Sequence, residues 1–594
     1  MNSKKEYSIE TKRHSLAHIM AMAVLEFYRN AKLGIGPAIE NGFYYDFDFG
    51  AEKISDTDLI KIEAKMRELI AQNLKFKKEK IDFLKAKKNF KNEPYKLELI
   101  KELNKEKKPI TIYKTFRNAI PNKLNESAFM DLCAGPHIFS TADLNSDAFK
   151  LTKIAGAYWK GSEKNPQLTR IYGLAFNIKQ ELDEHLQMLE IAELCDHRNL
   201  GERLEYFMID EEIGKGLPLW LPKGYAIRKK LEDYIYKLEK KNGYLHVLTP
   251  HIAKEGLYKK SGHLAHYKED MYAPINIEGE NYYLKPMNCP HHHAIFKRTK
   301  RSYKEFPLRI AEFGAVYRFE RSGVLSGMQR VRGFTQNDAH IYLNEENLES
   351  EIITVLNLNK KAYEDLGISD YWYRLSLPDF KNKEKYGDIK NKKMWEKGSE
   401  ILRKSLKNAG HKFIETKGEA SFYGPKIDIQ IKNILGKEDT IATIQVDYYS
   451  AGKFNLNYID KDGKEKPVVI IHRAIFGSFD RVFALLLEKT CGNLPFWFCP
   501  LQVAVLAISE KQKLYAEEVV NYLKEKNIDA ESGDANETLG KRIRETEMQK
   551  IPYILIVGDK EAEAKTVSVR ERGKTDLGVM KIEEFFELLP KKPY

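Results

Sequence analysis

The stretch Arg309-Ile-Ala-Glu-Phe-Gly-Ala-Val-Tyr-Arg318-Phe-Glu320-Arg-Ser-Gly, followed by Arg330-Val-Arg332-Gly-Phe-Thr-Gln336-Asn-Asp338-Ala-His340, constrains this chain more than any other feature. Arg318 stands at its centre. A planar guanidinium offers phosphate oxygens bidentate, charge-assisted bonds, where a lysine offers only a point charge. A single arginine says nothing about function, so the weight falls on the segments around it. Upstream lies Lys285-Pro-Met287-Asn-Cys289-Pro; downstream lie Tyr423-Gly-Pro-Lys426, Gln445-Val-Asp447 and Ile471-His472-Arg-Ala-Ile-Phe-Gly-Ser478-Phe-Asp-Arg481.

In this order and spacing the segments resemble the threonyl-tRNA synthetases, a family of class II aminoacyl-tRNA synthetases, from about residue 7 to the C-terminus. The first stretch is similar to the family's motif 2, an antiparallel strand pair closed by a loop. The resemblance implies a multidomain α+β chain: a class II catalytic core built on an antiparallel sheet, an N-terminal α+β editing domain and a C-terminal α/β anticodon-binding domain. It further implies ATP-dependent ligation of L-threonine to tRNA(Thr) through threonyl-adenylate, hydrolytic editing of seryl-tRNA(Thr), and a homodimer. Many relatives begin with a small ubiquitin-like domain. Here the editing domain starts almost at Met1, so that domain is expected to be missing.

Bulk properties agree with this reading without specifying it. A chain of 594 residues should hold three or four domains, and 42% hydrophobic with 31% charged residues describes a soluble, globular protein. Apolar runs fall short of the roughly eighteen residues of a membrane span, and MNSKKEYSIETKRH lacks the apolar core of a signal peptide, so a cytoplasmic, membrane-free location is expected. The cysteines at 133, 195, 289, 491 and 499 are odd in number and scattered, which predicts reduced thiols. The net charge of +12 suits a polyanionic partner such as RNA. Solvated lysine faces such as Lys75-Phe-Lys-Lys-Glu-Lys and Lys105-Glu-Lys-Lys account for it equally well.

Four segments are expected: editing domain 1–180, linker helix 181–204, catalytic domain 205–498 and anticodon-binding domain 499–594. In the linker, Leu182, Leu186, Leu189 and Leu200 lie among charges. Ala226, Ile227, Leu231, Tyr234, Ile235 and Leu238 repeat at helical spacing, and Asn242-Gly243 supplies a stop. A strand over Leu245–Thr249 should follow and end at Pro250. This helix, strand and proline resemble motif 1, which in the family builds the dimer interface. After Pro500, the apolar runs 503–508 and 553–557 alternate with amphipathic stretches near 513–527 and 538–550, a small α/β pattern.

By resemblance, Cys289, His340 and His472 are zinc ligands, one Zn2+ per subunit, although 51 and 132 positions separate them and no short metal-ligand spacing exists. The metal has a reason. An apolar pocket rejects valine poorly when threonine is wanted, whereas a site that binds the hydroxyl discriminates by roughly 10⁴ or more. Three protein ligands leave zinc open positions for that purpose. The triplet His291-His292-His293 offers a rival metal cluster, but consecutive helical residues point in different directions. The resemblance assigns Arg318 and Arg481 to the phosphates of ATP, which arrives with Mg2+. Glu320, Arg330, Gln336, Gln445 and Ser478 are assigned to ATP and the adenylate, and Met287, Asp338, Tyr423 and Gln445 to threonine. Lys426 joins the arginines as a catalytic group. His263, in Ser-Gly-His, matches a histidine that relays a proton during transfer to tRNA; a neutral-range pKa would suit it. Arg321, Ser326, Thr440 and His291 stand where relatives commonly carry proline, histidine, glutamine and glycine.

Serine also carries a hydroxyl and lacks one methyl group, a difference worth only about 1–3 kcal/mol, so a second sieve is expected. His14 and His18, four apart on one helical face, together with Lys96, Asp131, Cys133 and His137, match the family's deacylation site. A zinc reading of His-x₃-His with Cys-x₃-His is also open there; the threonyl family reads this site as metal-free. In the last domain Asn536, Arg544, Glu561 and Arg570 match anticodon-contacting positions, where unpaired bases expose their hydrogen-bonding edges. Two other functions compete: an RNA-binding regulator derived from such an enzyme, and a class II ligase for another amino acid. The intact Arg318, Arg481 and Cys, His, His set speak against both.

Overall fold

The computed structural model describes residues 6–116, 128–382, 386, 392–574 and 576–593. The chain divides into two compact units, Met1–Glu190 and Ile191–Tyr594.

In the first unit the helix Ile9–Phe27 is capped by Ser8, whose hydroxyl accepts from the Thr11 amide at 3.3 Å. Its centre, Leu16 to Val24, is buried and apolar except for His18, and packs with Phe43, Tyr45 and Phe47 of the strand Gly42–Asp48. That strand pairs with Gln167–Ala175, which pairs with Phe149–Tyr158, all antiparallel. A separate three-stranded sheet joins Lys75–Ile81, Ile110–Phe116 and Phe129–Leu132. The expected linker helix is two helices, Lys179–Leu194 and His197–Arg203. The break falls where Asp196 turns its carboxylate onto the Arg198 amide at 2.8 Å, capping the second helix.

The second unit is organised by an eight-stranded sheet ordered Tyr244–His246, Leu308–Tyr317, Gly333–Leu343, Val469–Ser478, Glu438–Asp447, Lys426–Lys432, Tyr371–Leu377, Phe413–Lys417. Only the two outermost pairings are parallel. Leu308–Tyr317 and Gly333–Leu343 run in unbroken register from Leu308 opposite Tyr342 to Tyr317 opposite Gly333. This is the hairpin that the Arg309–His340 stretch predicts. The helices Leu348–Asp365 and Phe479–Thr490 cover one sheet face with fully buried Ile352, Val355, Leu356 and Phe483. Each such side chain contributes about 1.5–3 kcal/mol relative to exposure.

The helix Pro222–Lys241 is pinned to the sheet by a buried ion pair, Arg473 Nη2 to Glu239 Oε1 at 2.7 Å, with the Arg473 guanidinium over the Tyr244 ring. Removing one partner of such a pair costs about 3–5 kcal/mol, because the other charge stays buried. The strand after this helix is shorter than predicted, Tyr244–His246, and Leu248 beyond it is 86% exposed.

The C-terminal residues form a five-stranded sheet ordered Ala530–Gly533, Val503–Ala507, Tyr553–Val557, Thr566–Glu571, Asp576–Lys581, with its first three strands parallel. Helices Lys513–Glu525 and Leu539–Met548 accompany it, close to the predicted ranges. The cysteine expectation needs correction: Cys195 and Cys491 are joined by a disulfide, and Cys133, Cys289 and Cys499 are free. Scattered spacing hid the pair, because residues 296 apart in sequence meet only through the fold.

Candidate active site

Strand alternation places Gln336, Asp338 and His340 on one face of Gly333–Leu343, and neighbouring strands add Gln445 with Thr443, and His472 with Ala474. Between Gln336 and Asp338 the pairing with Val469–Ser478 shifts register. Gly477 sits in that irregularity with φ +64°, and a Cβ there would meet the Ile441 carbonyl oxygen at 2.5 Å. Only glycine fits, and the bend delivers Ser478 to the site. The face borders a cavity of about 290 Å³, lined among others by Met287, Cys289, Arg318, Gln336, Asp338, His340, Tyr423, Lys426, Gln445, His472 and Arg481.

Cys289, His340 and His472 converge, with one ligand-type atom of each within 4.8 Å of the others, all three residues buried. His340 lies directly opposite His472 in the ladder, and Cys289 opens the helix Cys289–Lys297. Their surroundings set the tautomers. Burial pushes the Glu312 carboxyl up, but the His292 hydrogen bond and the Lys285 charge outweigh it, so its pKa falls to about 2. Ionised Glu312 accepts from His292 Nε2 at 3.0 Å, which leaves His292 Nδ1 to accept from His340 Nδ1 at 2.8 Å. His472 Nε2 donates to Asp447 Oδ2 at 2.9 Å. Each imidazole keeps one lone pair, backed by a hydrogen-bonded outer shell. A set of one sulfur and two nitrogens with this backing fits zinc. The triplet resolves into separate jobs: His292 supports His340, His293 Nδ1 meets the Tyr342 hydroxyl at 2.9 Å, and His291 is buried with neither ring nitrogen bonded.

Around this cluster the Tyr423 ring stacks on His472 with centroids 4.9 Å apart, and its hydroxyl donates to Gln445 Oε1. Lys426 Nζ lies 2.9 Å from Asp428, and Asp338 accepts from the Asn288 amide at 3.0 Å. His263 Nδ1 is 2.6 Å from the Ser261 hydroxyl, and its Nε2 is 3.1 Å from Met287 Sδ. Burial first, then the Arg318 and His472 charges, push this imidazole down to about 4. Burial thus favours the uncharged imidazole and sets His263 below the neutral range expected of it.

A second, smaller cavity of about 110 Å³ continues past Arg318 between Glu320, Gln329, Arg330, Gln336, Ser478 and Arg481. Arg318 Nε donates to the Pro286 carbonyl at 3.3 Å with the guanidinium over Phe334. Arg481, on the helix that Ser478 caps, donates through Nε to the Gln329 carbonyl at 3.1 Å. Glu320 is held by Arg330 at 2.9 Å. Three guanidiniums thus border one cavity, and the carboxylate in its lining, Glu320, is paired with one of them, Arg330, an arrangement that favours an oligophosphate. Of the departures, Thr440 accepts from Gln430 Nε2 at 2.6 Å, Ser326 exchanges backbone bonds with Arg330, and Arg321 is exposed beside Glu269.

The first unit holds a second cluster. His14, His18, Cys133 and His137 bring ligand-type atoms within 4.8 Å of one another. Cys133 Sγ lies 3.3 Å from His14 Nε2 and 3.2 Å from His137 Nε2, while His14 Nδ1 faces the Pro136 carbonyl at 3.2 Å. Burial pushes the Cys133 thiol up to about 12 and holds His14, His18 and His137 below the ordinary histidine value. Behind them Asp131 takes Lys96 Nζ at 2.5 Å and the Tyr45 hydroxyl at 2.6 Å, and sits 3.5 Å from His18 Nε2. Tyr45 was not foreseen; alternation along an ordinary-looking apolar strand gave no signal of it.

The anticodon candidates are not gathered into one cavity. Arg570 lines one of about 620 Å³ with Lys550, Arg572 and Lys574, and its Nε is buried without a partner. Asn536 and Arg544 are exposed, and Glu561 caps its own helix by accepting from the Gly558 amide at 2.9 Å.

Comparison with known proteins places this geometry. Residues 272–490 match the class II tRNA synthetase core domain model (G, H, P, S and T), 502–592 the anticodon binding domain, and 111–172 the threonyl and alanyl tRNA synthetase second additional domain. The threonine-tRNA ligase of Sulfurihydrogenibium sp. (strain YO3AOP1) is 46% identical over 98% of this chain and 89% of its own length. That of Geobacillus kaustophilus (strain HTA426) is 44% identical over 98% and 87%. Among solved structures, the RNA binding domain of threonyl-tRNA synthetase from Cryptosporidium parvum Iowa II superposes with TM-score 0.62 at 36% identity, covering 66% of this chain and 97% of that one.

Proposed function

The chain belongs to the threonine-tRNA ligases, and from that premise we propose which of its side chains carry the reaction. It joins threonine to tRNA at the expense of ATP and edits mischarged product. The observation that supports the assignment of parts is the pair of arginines bordering the cavity that ends on Cys289, His340 and His472.

Adenylate formation needs placement and positive charge more than proton transfer. Arg318 takes the α-phosphate, where negative charge grows as the carboxylate of threonine attacks, and Arg481 takes the outer phosphates with Mg2+. Both guanidiniums are already oriented by backbone carbonyls, so little reorganisation remains at the moment of reaction. Lys426 adds charge beside the forming adenylate. Gln336, Ser478, Glu320 and Arg330 hold the nucleotide; Met287, Asp338, Tyr423 and Gln445 hold threonine. A zinc ion held by Cys289, His340 and His472 supplies, when bound, open positions for the amino group and hydroxyl of threonine, which valine cannot fill. His263, uncharged and tied to Ser261, relays a proton from the tRNA 3′-hydroxyl rather than storing it.

In the first unit His14, His18, Cys133 and His137 place a water and the seryl ester through hydrogen bonds, and the buried Lys96–Asp131 pair fixes His18. Asn536, Arg544, Glu561 and Arg570 read the anticodon of tRNA(Thr). Exposed Leu245 and Leu248, at 57% and 86%, lie on the motif 1 segment and suit a homodimer contact.

ATP–pyrophosphate exchange with threonine, serine, valine and proline tests the assignment. Exchange with threonine, weaker exchange with serine and almost none with valine is the expected pattern, and Cys289→Ala should lose both zinc, by elemental analysis, and threonine activation. Equal exchange with valine, or full activity in a zinc-free protein, would remove the metal from the account.

A further inference from the structure

The group of half-buried Asp196 with buried His197 and Glu488 lies outside the residues assigned above and has the composition of a cation site. Its hydrogen bonds give it another role. His197, 1% exposed, accepts from the Met328 amide through Nε2 at 3.1 Å, so Nδ1 carries the proton and donates to Glu488 Oε1 at 2.6 Å. The other oxygen of Glu488 accepts from Gln329 Nε2 at 3.0 Å. Both ring nitrogens of His197 are spent, so the histidine keeps no lone pair for a metal.

What these bonds hold is the turn Ser326–Arg330, the far end of the loop between the hairpin strands. Gln329 is its pivot: the side chain is fixed by Glu488, and the backbone carbonyl receives Arg481 Nε at 3.1 Å. Arg481 and Glu488 are seven residues apart on the helix Phe479–Thr490, close to two turns, and so share one side of it. The turn lies against that side. Gly327, at φ +45°, lets it come close: a Cβ there would stand 2.2 Å from His197 Nε2 and 2.7 Å from Arg198 Cγ. The Cys195–Cys491 disulfide ties the two backbones just outside the pair, two residues before His197 and three after Glu488.

We propose that His197 and Glu488 are positioning residues for ATP: they fix the Ser326–Arg330 turn and, through the Gln329 carbonyl, aim the Arg481 guanidinium at the phosphates. This rests on the ATP reading of the cavity beside Arg481, and the test separates the two. An amide left without its acceptor, or a loop side chain released, is worth about tenfold in binding.

The experiment measures KM for ATP and for threonine separately in ATP–pyrophosphate exchange, on the full chain, with His197→Ala, His197→Gln, Glu488→Gln and, as control, Arg481→Ala. His197→Ala and Glu488→Gln should raise KM for ATP about tenfold while KM for threonine stays within about twofold. His197→Gln, whose amide oxygen can accept from Met328, should recover part of the loss. Glu488→Gln keeps the shape of the site, so it reports even if His197→Ala fails to fold. An unchanged KM for ATP in Glu488→Gln and His197→Gln, with Arg481→Ala impaired, would overturn the positioning role and leave the ATP site standing. An unimpaired Arg481→Ala would overturn both.

Discussion

Arg318 shows how much one side chain can be asked to do. Its Nε is held by the Pro286 carbonyl and its plane by Phe334, so the fork is fixed before any ligand arrives. Arg318→Lys keeps the charge and loses the fork. Single-turnover adenylate formation should slow by about 10²-fold, with far-ultraviolet circular dichroism unchanged. A rate near that of the unaltered protein would place the phosphate clamp elsewhere. The place of this arginine at the cavity was legible because it lies inside a contiguous stretch. Cys289, His340 and His472 were legible only through the short segments that carry them, since nothing in their spacing predicts that strand register sets His340 opposite His472. His292, Glu312 and Asp447 had no signal at all: a neutral outer-shell histidine and buried carboxylates look like any other polar residue until hydrogen bonds fix their tautomers. The downward pull on the His263 pKa had no signal for a related reason, because burial, its main cause, is a property of the fold.

At the scale of elements, the sequence was most reliable where periodicity is long and least reliable at breaks. The helix Pro222–Lys241 and the hairpin over Leu308–Leu343 follow from pattern. The supposed single helix over 181–204 is broken because Asp196 prefers to cap, a local hydrogen bond that outweighs the leucine periodicity. That break also matters covalently. It sets Cys195 beside Cys491, the residue in left-handed conformation that ends the helix carrying Arg481. Alkylation of the unfolded, unreduced protein should therefore modify three of the five cysteines, and all five after reduction, as read by intact mass. Five modifications without reductant would remove the tie between these two elements. No other feature of the sequence pointed to it, because an odd, scattered set of cysteines ordinarily means free thiols.

For the whole molecule the consequence of two compact units is that synthesis and proofreading should separate by mutation. The editing cluster lies wholly within Met1–Glu190, and its residues share no element with the adenylate site. A His14→Ala, His18→Ala variant should charge threonine at the ordinary rate yet accumulate seryl-tRNA. The chemistry of that cluster then decides between two ways of hydrolysing an ester. If its imidazoles and the Cys133 thiol held a metal, the ion would activate the water and chelation would stop deacylation. Cys133 Sγ lies 3.3 Å from His14 Nε2 and 3.2 Å from His137 Nε2, so its proton can serve either imidazole, and Asp131 pairs with Lys96. We read the cluster as one that places water and ester through hydrogen bonds. The expected metal content is one zinc per chain in both the unaltered protein and the double variant, and seryl-tRNA hydrolysis should withstand a chelator that strips that zinc and ends threonine activation. A second zinc, absent from the variant and lost together with hydrolysis, would show that the four residues bind metal and that the water is activated by it.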